Sequence, residues 1–197
     1  MAGPYTIQTP VSEQPISSSL FGLPVKLAIE DLHLRALTLE TNQQAMVGRG
    51  RRITSKSVAA GSAGTEFGYM RVDNVPVRAG GVYRIMTSGM NMDTDVANDV
   101  MWARIRVAFA ATPGTFATTA STSIGSMRNL QANISQSNII PFSCFYFSAG
   151  DGFASFIVTA QRIAGTGSLN VSHSGTEPFD LTIEYSGPDP GDTAVLL

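Results

Sequence analysis

Three aspartates and one asparagine lie within seven residues: Asp93, Asp95, Asn98 and Asp99. Carboxylate oxygens are ligands that Ca²⁺ prefers, so Asp93, Asp95 and Asp99 are candidate calcium ligands. The spacing lacks the glycine and the distal glutamate of an EF-hand loop. Aspartate and asparagine also bond to nearby backbone in the connections between strands. We therefore expect a polar strand connection without a metal ion, and calcium is the alternative.

Histidine and cysteine are scarce in this sequence. His33 and His173 are the only histidines, and Cys144 is the only cysteine. Cys144 lies in the apolar segment 139–147, where a thiol packs as a small hydrophobe, and His173 is expected on the surface near a strand end. A glycosidase needs a cleft lined with aromatic side chains, and the chain has one tryptophan. The sequence therefore predicts no catalytic residue and no cofactor, and we expect a protein that is not an enzyme.

The composition is that of a compact chain with a neutral polar surface. Charged residues make up 14% of the 197 residues, against about 25% in typical soluble domains. Hydrophobic residues make up 43%, which argues against intrinsic disorder. The formal net charge of −2 gives no reason to expect a nucleic-acid or membrane partner, and no apolar run is long enough to span a bilayer.

Three segments precede the predicted strands. Residues 1–23 contain three prolines and almost no charge, which predicts an extended arm that becomes ordered only against a partner. Residues 24–46 form the one predicted helix, with a proline at its first position. Residues 47–65 (VGRGRRITSKSVAAGSAGT) are predicted to be a linker rich in glycine, serine and arginine.

The predicted helix carries an apolar seam. Its members recur at spacings of four, three, four and three: Val25, Ile29, Leu32, Ala36 and Leu39. Such a seam is typical of a helix that packs on its own domain. The stripe is widened by further leucines and is flanked by a proline-rich arm and a linker, which favours self-association into a three-stranded bundle. These five residues are the predicted oligomer interface.

From residue 66 onward the pattern changes to short segments of alternating hydrophobicity separated by turns. The clearest segment places Met101, Ala103, Ile105, Val107 and Phe109 on one face, with Trp102, Arg104 and Arg106 on the other. Eight strands are predicted, at 66–77, 81–88, 99–110, 127–134, 139–147, 153–163, 167–173 and 178–186. This predicts a mainly β protein, an antiparallel, jelly-roll-like β-sandwich head over residues 66–197.

Three segments of the chain, 70–90, 99–121 and 179–193, resemble small virion proteins of tailed phages, especially phages of actinobacteria. The matching residues are Val75, Pro76, Gly80, Tyr83, Arg84 and Ile85, then Arg104, Ile105 and Arg106, and finally Ile183, Glu184, Gly187 and Pro188. Members are described as capsid decoration proteins, head fibres or minor tail proteins. Tyr185 stands where members often have an aspartate. The resemblance implies assembly and surface display, without catalytic residues.

These features together predict a structural phage virion protein, made in the host cytoplasm and located in the virion. We expect a homotrimer whose residues 1–23 attach to the major capsid or tail protein. The short chain favours capsid decoration or a head fibre over a minor tail protein. The alternative is an adhesion module of the tail that binds a host glycan, with Trp102, Phe116 and Tyr146 as the candidate aromatic platform.

Overall fold

A computed structural model describes residues 32, 45–133, 138–173 and 175–189. All described strands belong to one compact unit, Gln43–Leu197. The predicted arm, residues 1–23, lies outside the described residues. None of the helices in the described part of the chain is long and apolar enough to cross a membrane.

The described residues of this unit are mainly β, with twelve strands and one short helix. In chain order they are β1 (Ala45–Arg52), β2 (Lys56–Val58), α1 (Ala60–Ala63), β3 (Phe67–Val77), β4 (Gly81–Thr87), β5 (Met90–Thr94), β6 (Val100–Ala110), β7 (Thr122–Leu130), β8 (Asn138–Ile140), β9 (Ser143–Phe147), β10 (Gly152–Ala164), β11 (Leu169–Val171) and β12 (Phe179–Pro188).

The strands form two layers, and every pairing is antiparallel. Layer 2 is a single sheet with the order β3-β10-β6-β7. Layer 1 consists of two sheets with matching orders, β1-β12-β4-β9 and β2-β11-β5-β8. Each strand of the second sheet is the chain neighbour of the corresponding strand in the first, so we treat the two sheets as one interrupted layer. Counted as continued strands, the orders are 1-8-3-6 and 2-7-4-5, which match a jelly roll.

The core lies between the layers, where strand alternation directs apolar side chains. On β6, Met101, Ala103 and Ile105 are fully buried and alternate with half-buried residues, which confirms the predicted face of this strand. Aromatic contacts join the layers. The ring of Tyr146 on β9 meets that of Phe156 on β10 edge to face, with 5.6 Å between centroids.

The linker prediction for residues 47–65 needs correction, because these residues form β1, β2 and α1. The strand β1 alternates glycine and arginine. A Cβ at Gly48 would lie 2.9 Å from Cγ2 of Val75, so glycine is what lets β1 approach the facing layer. Arg49 and Arg51 point outward, and both bond to Asp180 of β12. The glycines therefore serve close packing here, whereas the sequence pattern suggested flexibility.

Other elements of the structure also differ from the predictions. Strand β1 begins at Ala45, so the helix predicted over 24–46 is too long at its end. Strand β7 covers Thr122–Leu130, earlier in the chain than the predicted 127–134. Strand β5 was not predicted, because Met90, Asn91 and Met92 are all buried and show no alternation.

Candidate functional site

The acidic stretch leads from β5 to β6 as a polar connection, as predicted, and two of its carboxylates bind backbone. Asp99 is 1% exposed. Its Oδ1 accepts a hydrogen bond from the backbone N–H of Thr166 at 3.0 Å, and its Oδ2 accepts one from Gly167 at 2.8 Å. Asp95 Oδ1 accepts one from the N–H of Ser168 at 2.7 Å. The two aspartates thus hold the turn between β10 and β11.

That turn contains glycines because the carboxylates leave no room for a side chain. A Cβ at Gly167 would lie 2.6 Å from both Asp95 Oδ1 and Asp99 Oδ2. Asp93 lies apart on β5, where burial raises the pKa of its carboxyl group, a hydrogen bond from Asn170 opposes the shift, and the charge of Asp95 adds to it. Among the described residues no group of three or more histidine, cysteine, aspartate or glutamate side chains is placed to hold a metal ion.

The predicted oligomer interface falls almost entirely outside the described residues. Val25, Ile29, Ala36 and Leu39 are not described. Leu32 is helical, and 65% of it is exposed. The trimeric bundle therefore stays a prediction.

The three aromatic residues predicted as a sugar-binding platform do not share one exposed surface. Tyr146 packs against the core. Trp102 is half-buried beneath the guanidinium groups of Arg104, 3.4 Å from the ring centroid, and Arg128, at 4.8 Å. Phe116 is 49% exposed in the connection between β6 and β7.

The residues that could carry nucleophilic or acid–base chemistry lie in apolar surroundings. Burial raises the pKa of the Cys144 thiol to about 12, which disfavours the reactive thiolate. His173 is buried between the rings of Tyr69 and Phe179, with centroids 5.6 and 5.2 Å away, so the expected surface position is wrong. Burial also lowers the pKa of His173.

A cluster of charged side chains lies at the start of β3. The Glu66 carboxylate accepts bonds from Arg106 Nε and Nη2, both at 2.7 Å, and also from Arg104 and Thr159. The side chains of Glu66, Arg104 and Arg106 are only 13, 12 and 15% exposed. Burial would raise the pKa of Glu66, but the hydrogen bonds from Arg106 and Thr159 and the two positive charges outweigh it and lower the pKa. No local sequence pattern indicates this pairing, because it joins residues about 40 positions apart.

An apolar groove of about 470 Å³ lies at the open side of the sandwich, between the layers. It is lined mainly by Val107, Phe109, Ile124, Phe145, Tyr146 and Phe147. These residues come from the end of β6 and from the outer strands β7 and β9. We call this feature the edge groove.

Local structure explains why phenylalanines reach the surface at the edge groove. Phe145 and Phe147 alternate with the inward-facing Tyr146 on β9, and they are 53 and 57% exposed. Phe109, predicted on the buried face of β6, emerges at the end of that strand and is 40% exposed. A Cβ at Gly152 would lie 2.4 Å from the backbone oxygen of Ala110 and 3.0 Å from Cε2 of Phe109, so the glycine allows close approach of the β6 backbone and leaves room for this ring.

The edge groove can bind apolar groups, and its lining offers no charged group to orient a polar substrate. The edge groove was not predicted, although the sequence contains one signal for it. In Phe-Tyr-Phe, alternation must place both phenylalanines on the face opposite to the tyrosine. The edge groove is the candidate functional site.

Comparisons with known proteins place the chain in no family. No family model matches the sequence, and no curated protein matches it. Solved structures with some likeness include the sugar-binding EclA C-terminal domain, at 13% identity over 71% of this chain and 79% of that chain, with a TM-score of 0.36. Eiger TNF from S. frugiperda is 14% identical over 79% and 95% of the two chains, with a TM-score of 0.32.

The infectious bursal disease virus VP2 subviral particle is a third such structure. It is 12% identical over 74% of this chain, and the match spans 38% of the VP2 chain, with a TM-score of 0.34. Likenesses this distant carry no argument about function.

Proposed function

We propose that this protein is a structural virion protein of a tailed phage, a homotrimeric decoration or fibre protein displayed on the particle surface. The observation that carries the proposal is the edge groove, an exposed apolar surface suited to contact with protein. The resemblance of three segments of the sequence to small virion proteins of tailed phages supports it.

Recognition of a host glycan is the second candidate function. The exposed rings of Phe145 and Phe147 favour it, since aromatic faces stack on sugars. Against it stand Tyr146, which packs on the core, and Trp102, which arginine side chains cover. Binding to a defined sugar on a glycan array, lost when Phe147 is changed to alanine, would favour this second function over simple decoration.

Attachment to the virion tests the proposal directly. A variant without residues 1–23 is expected to lose attachment to particles, because the arm is the proposed contact with the capsid or tail protein. The measurement is electron microscopy of particles that lack the protein, after addition of labelled full-length or shortened chain. The full-length chain should decorate a regular set of sites. Equal decoration by the shortened chain would contradict the proposed role of the arm, and no decoration by either would contradict the virion role.

Self-association is a second test. The full-length protein is expected to sediment at three times its monomer mass at micromolar concentration. Sedimentation equilibrium at several loading concentrations measures this. A single species at the monomer mass would contradict the proposed trimer, whichever part of the chain forms it.

A further inference from the structure

We propose that the side of the sandwich formed by β7 and β9, centred on the edge groove, is a contact surface between copies of this chain. The inference rests on the proposed self-association and adds a place for it on the head itself. The occupant of the edge groove is a second copy.

The first step is the charge of this side. Residues 107–150, which run from the end of β6 through β9, contain a single charged residue, Arg128. At the average of 14% for the chain, these 44 residues would contain about six. The guanidinium of Arg128 lies over the ring of Trp102, 4.8 Å from its centroid. Exposed Arg84 of β4, which pairs with Phe145, lies at the inner border of this side. A surface poor in charge is complementary to another such surface, and the same side of a second copy provides one.

The second step is where the exposed apolar side chains lie. Nine described residues of the unit Gln43–Leu197 are large, apolar and exposed. Five of the nine lie on the outer strands at this side or at the end of β6 beside them: Phe109, Leu130, Ile139, Phe145 and Phe147. The other four are Met46, Ile53, Val96 and Phe116, and the Phe116 ring lies under Arg71 of β3 at the opposite edge of layer 2. Exposed apolar side chains scattered singly need no explanation, whereas a concentration on one side marks an interaction surface.

The third step is the size of the surface. Phe109, Phe145 and Phe147 share the edge groove and are 40, 53 and 57% exposed. A phenylalanine can bury about 200 Å², so these three rings alone offer about 300 Å² of apolar surface. A standard interface buries about 800 Å² per partner, of which about 57% is apolar. The three rings thus supply more than half of the apolar area that such a contact needs.

The fourth step is that two outer strands lie at this side. Strands β7 and β9 are the last strands of their sheets. Outer strands of soluble proteins are commonly protected by charged residues or proline, which prevent pairing with other chains. Strand β9, Ser-Cys-Phe-Tyr-Phe, has neither. A second copy seated over β9 would cover both the unpaired backbone and the exposed rings.

Photo-crosslinking of the purified full-length protein tests the inference. The photoreactive amino acid p-benzoylphenylalanine replaces Phe147 in one variant and Ile53, which is 54% exposed on the connection between β1 and β2, in the control. After irradiation, the Phe147 variant is expected to give several-fold more covalent dimer than the control. Mass spectrometry should place the new bond on another copy, on residues 107–150. Absence of a covalent dimer, or a bond only to residues of the same chain, would overturn the inference.

A second variant separates this inference from the proposed trimer. Phe147→Asp places a charge in the edge groove of each copy and is expected to shift sedimentation toward smaller species. Because Phe147 is largely exposed, the melting temperature should stay close to that of the unchanged protein. If the unchanged protein and Phe147→Asp both sediment as trimers, the inference fails and the proposed self-association stands. If the unchanged protein is a monomer, both fail.

Discussion

Changing Glu66 to alanine is expected to lower the free energy of unfolding by about 3 kcal/mol. Glu66 neutralises Arg104 and Arg106, and all three side chains are largely buried. Without the carboxylate, two guanidinium groups stay close together in a poorly solvated place with no opposite charge. This loss of unfolding free energy is at the lower end of the range for breaking a buried ion pair, because each of the three side chains keeps some contact with water. Urea unfolding followed by circular dichroism measures it.

Asp180 provides a matched control for Glu66. It also accepts bonds from two arginines, Arg49 and Arg51, whose side chains are 47 and 54% exposed. Because water screens exposed ion pairs, Asp180→Ala is expected to cost less than about 1 kcal/mol. If Glu66→Ala and Asp180→Ala lowered the free energy of unfolding by equal amounts, the importance assigned to burial would be contradicted.

The effect of the Glu66 change should also depend on pH. The pKa of Glu66 in the folded protein lies below its ordinary value of 4.5. Its ionised carboxylate therefore stabilises the fold fully above pH 4.5, and this contribution is lost as the pH falls through the folded pKa. The difference in stability between the unchanged protein and Glu66→Ala should narrow on acidification below pH 4.5. A difference that stays constant from neutral pH to pH 3 would contradict this linkage.

Asp99→Ala is expected to destabilise the protein by about 3 kcal/mol, because it leaves two backbone N–H groups without their acceptor. These groups belong to Thr166 and Gly167, and Asp99 is almost fully buried. Asp95→Ala is the matched control, with the same change of charge in the same connection. Asp95 is exposed and accepts one bond, from Ser168, so its loss should cost about 1 kcal/mol. Chemical unfolding of both variants measures the difference.

The same pair of variants distinguishes backbone binding from calcium binding. If the carboxylates act on the backbone alone, the loss in Asp99→Ala is the same with EDTA and with millimolar calcium. A loss that appears only when calcium is present would show that the acidic stretch holds the ion. If Asp95→Ala lowered the free energy of unfolding as much as Asp99→Ala, the greater importance of the buried carboxylate would be contradicted.

Local alternation made much of this fold predictable. On β6, apolar side chains at every second position identify both the strand and its buried face. The polar connection before β6 was also predicted, since aspartates there bind backbone. Strand order could not be predicted in this way, because pairings such as β1 with β12 join residues more than 120 positions apart.

Each strand that was not predicted has its own physical explanation. The glycines of β1 that allow close packing look the same in sequence as glycines that allow flexibility. Strand β5 is buried on both faces and shows no alternation. The edge groove depends on which strands lie at the sides of their sheets, so Phe109, predicted as core, becomes part of a surface instead. Tyr146, predicted as surface, is partly buried against the core.

The position of β12 between β1 and β4 has a consequence for synthesis of the protein. Ribosomes add about 5–20 residues per second, so β1 and β4 leave the ribosome several seconds before the strand that must separate them. Until β12 emerges, both strands lack their shared partner, and the inner side of each is open to incorrect pairing. Nascent chains stalled before residue 179 should therefore depend on chaperones, and the first layer should close only after translation has passed β12.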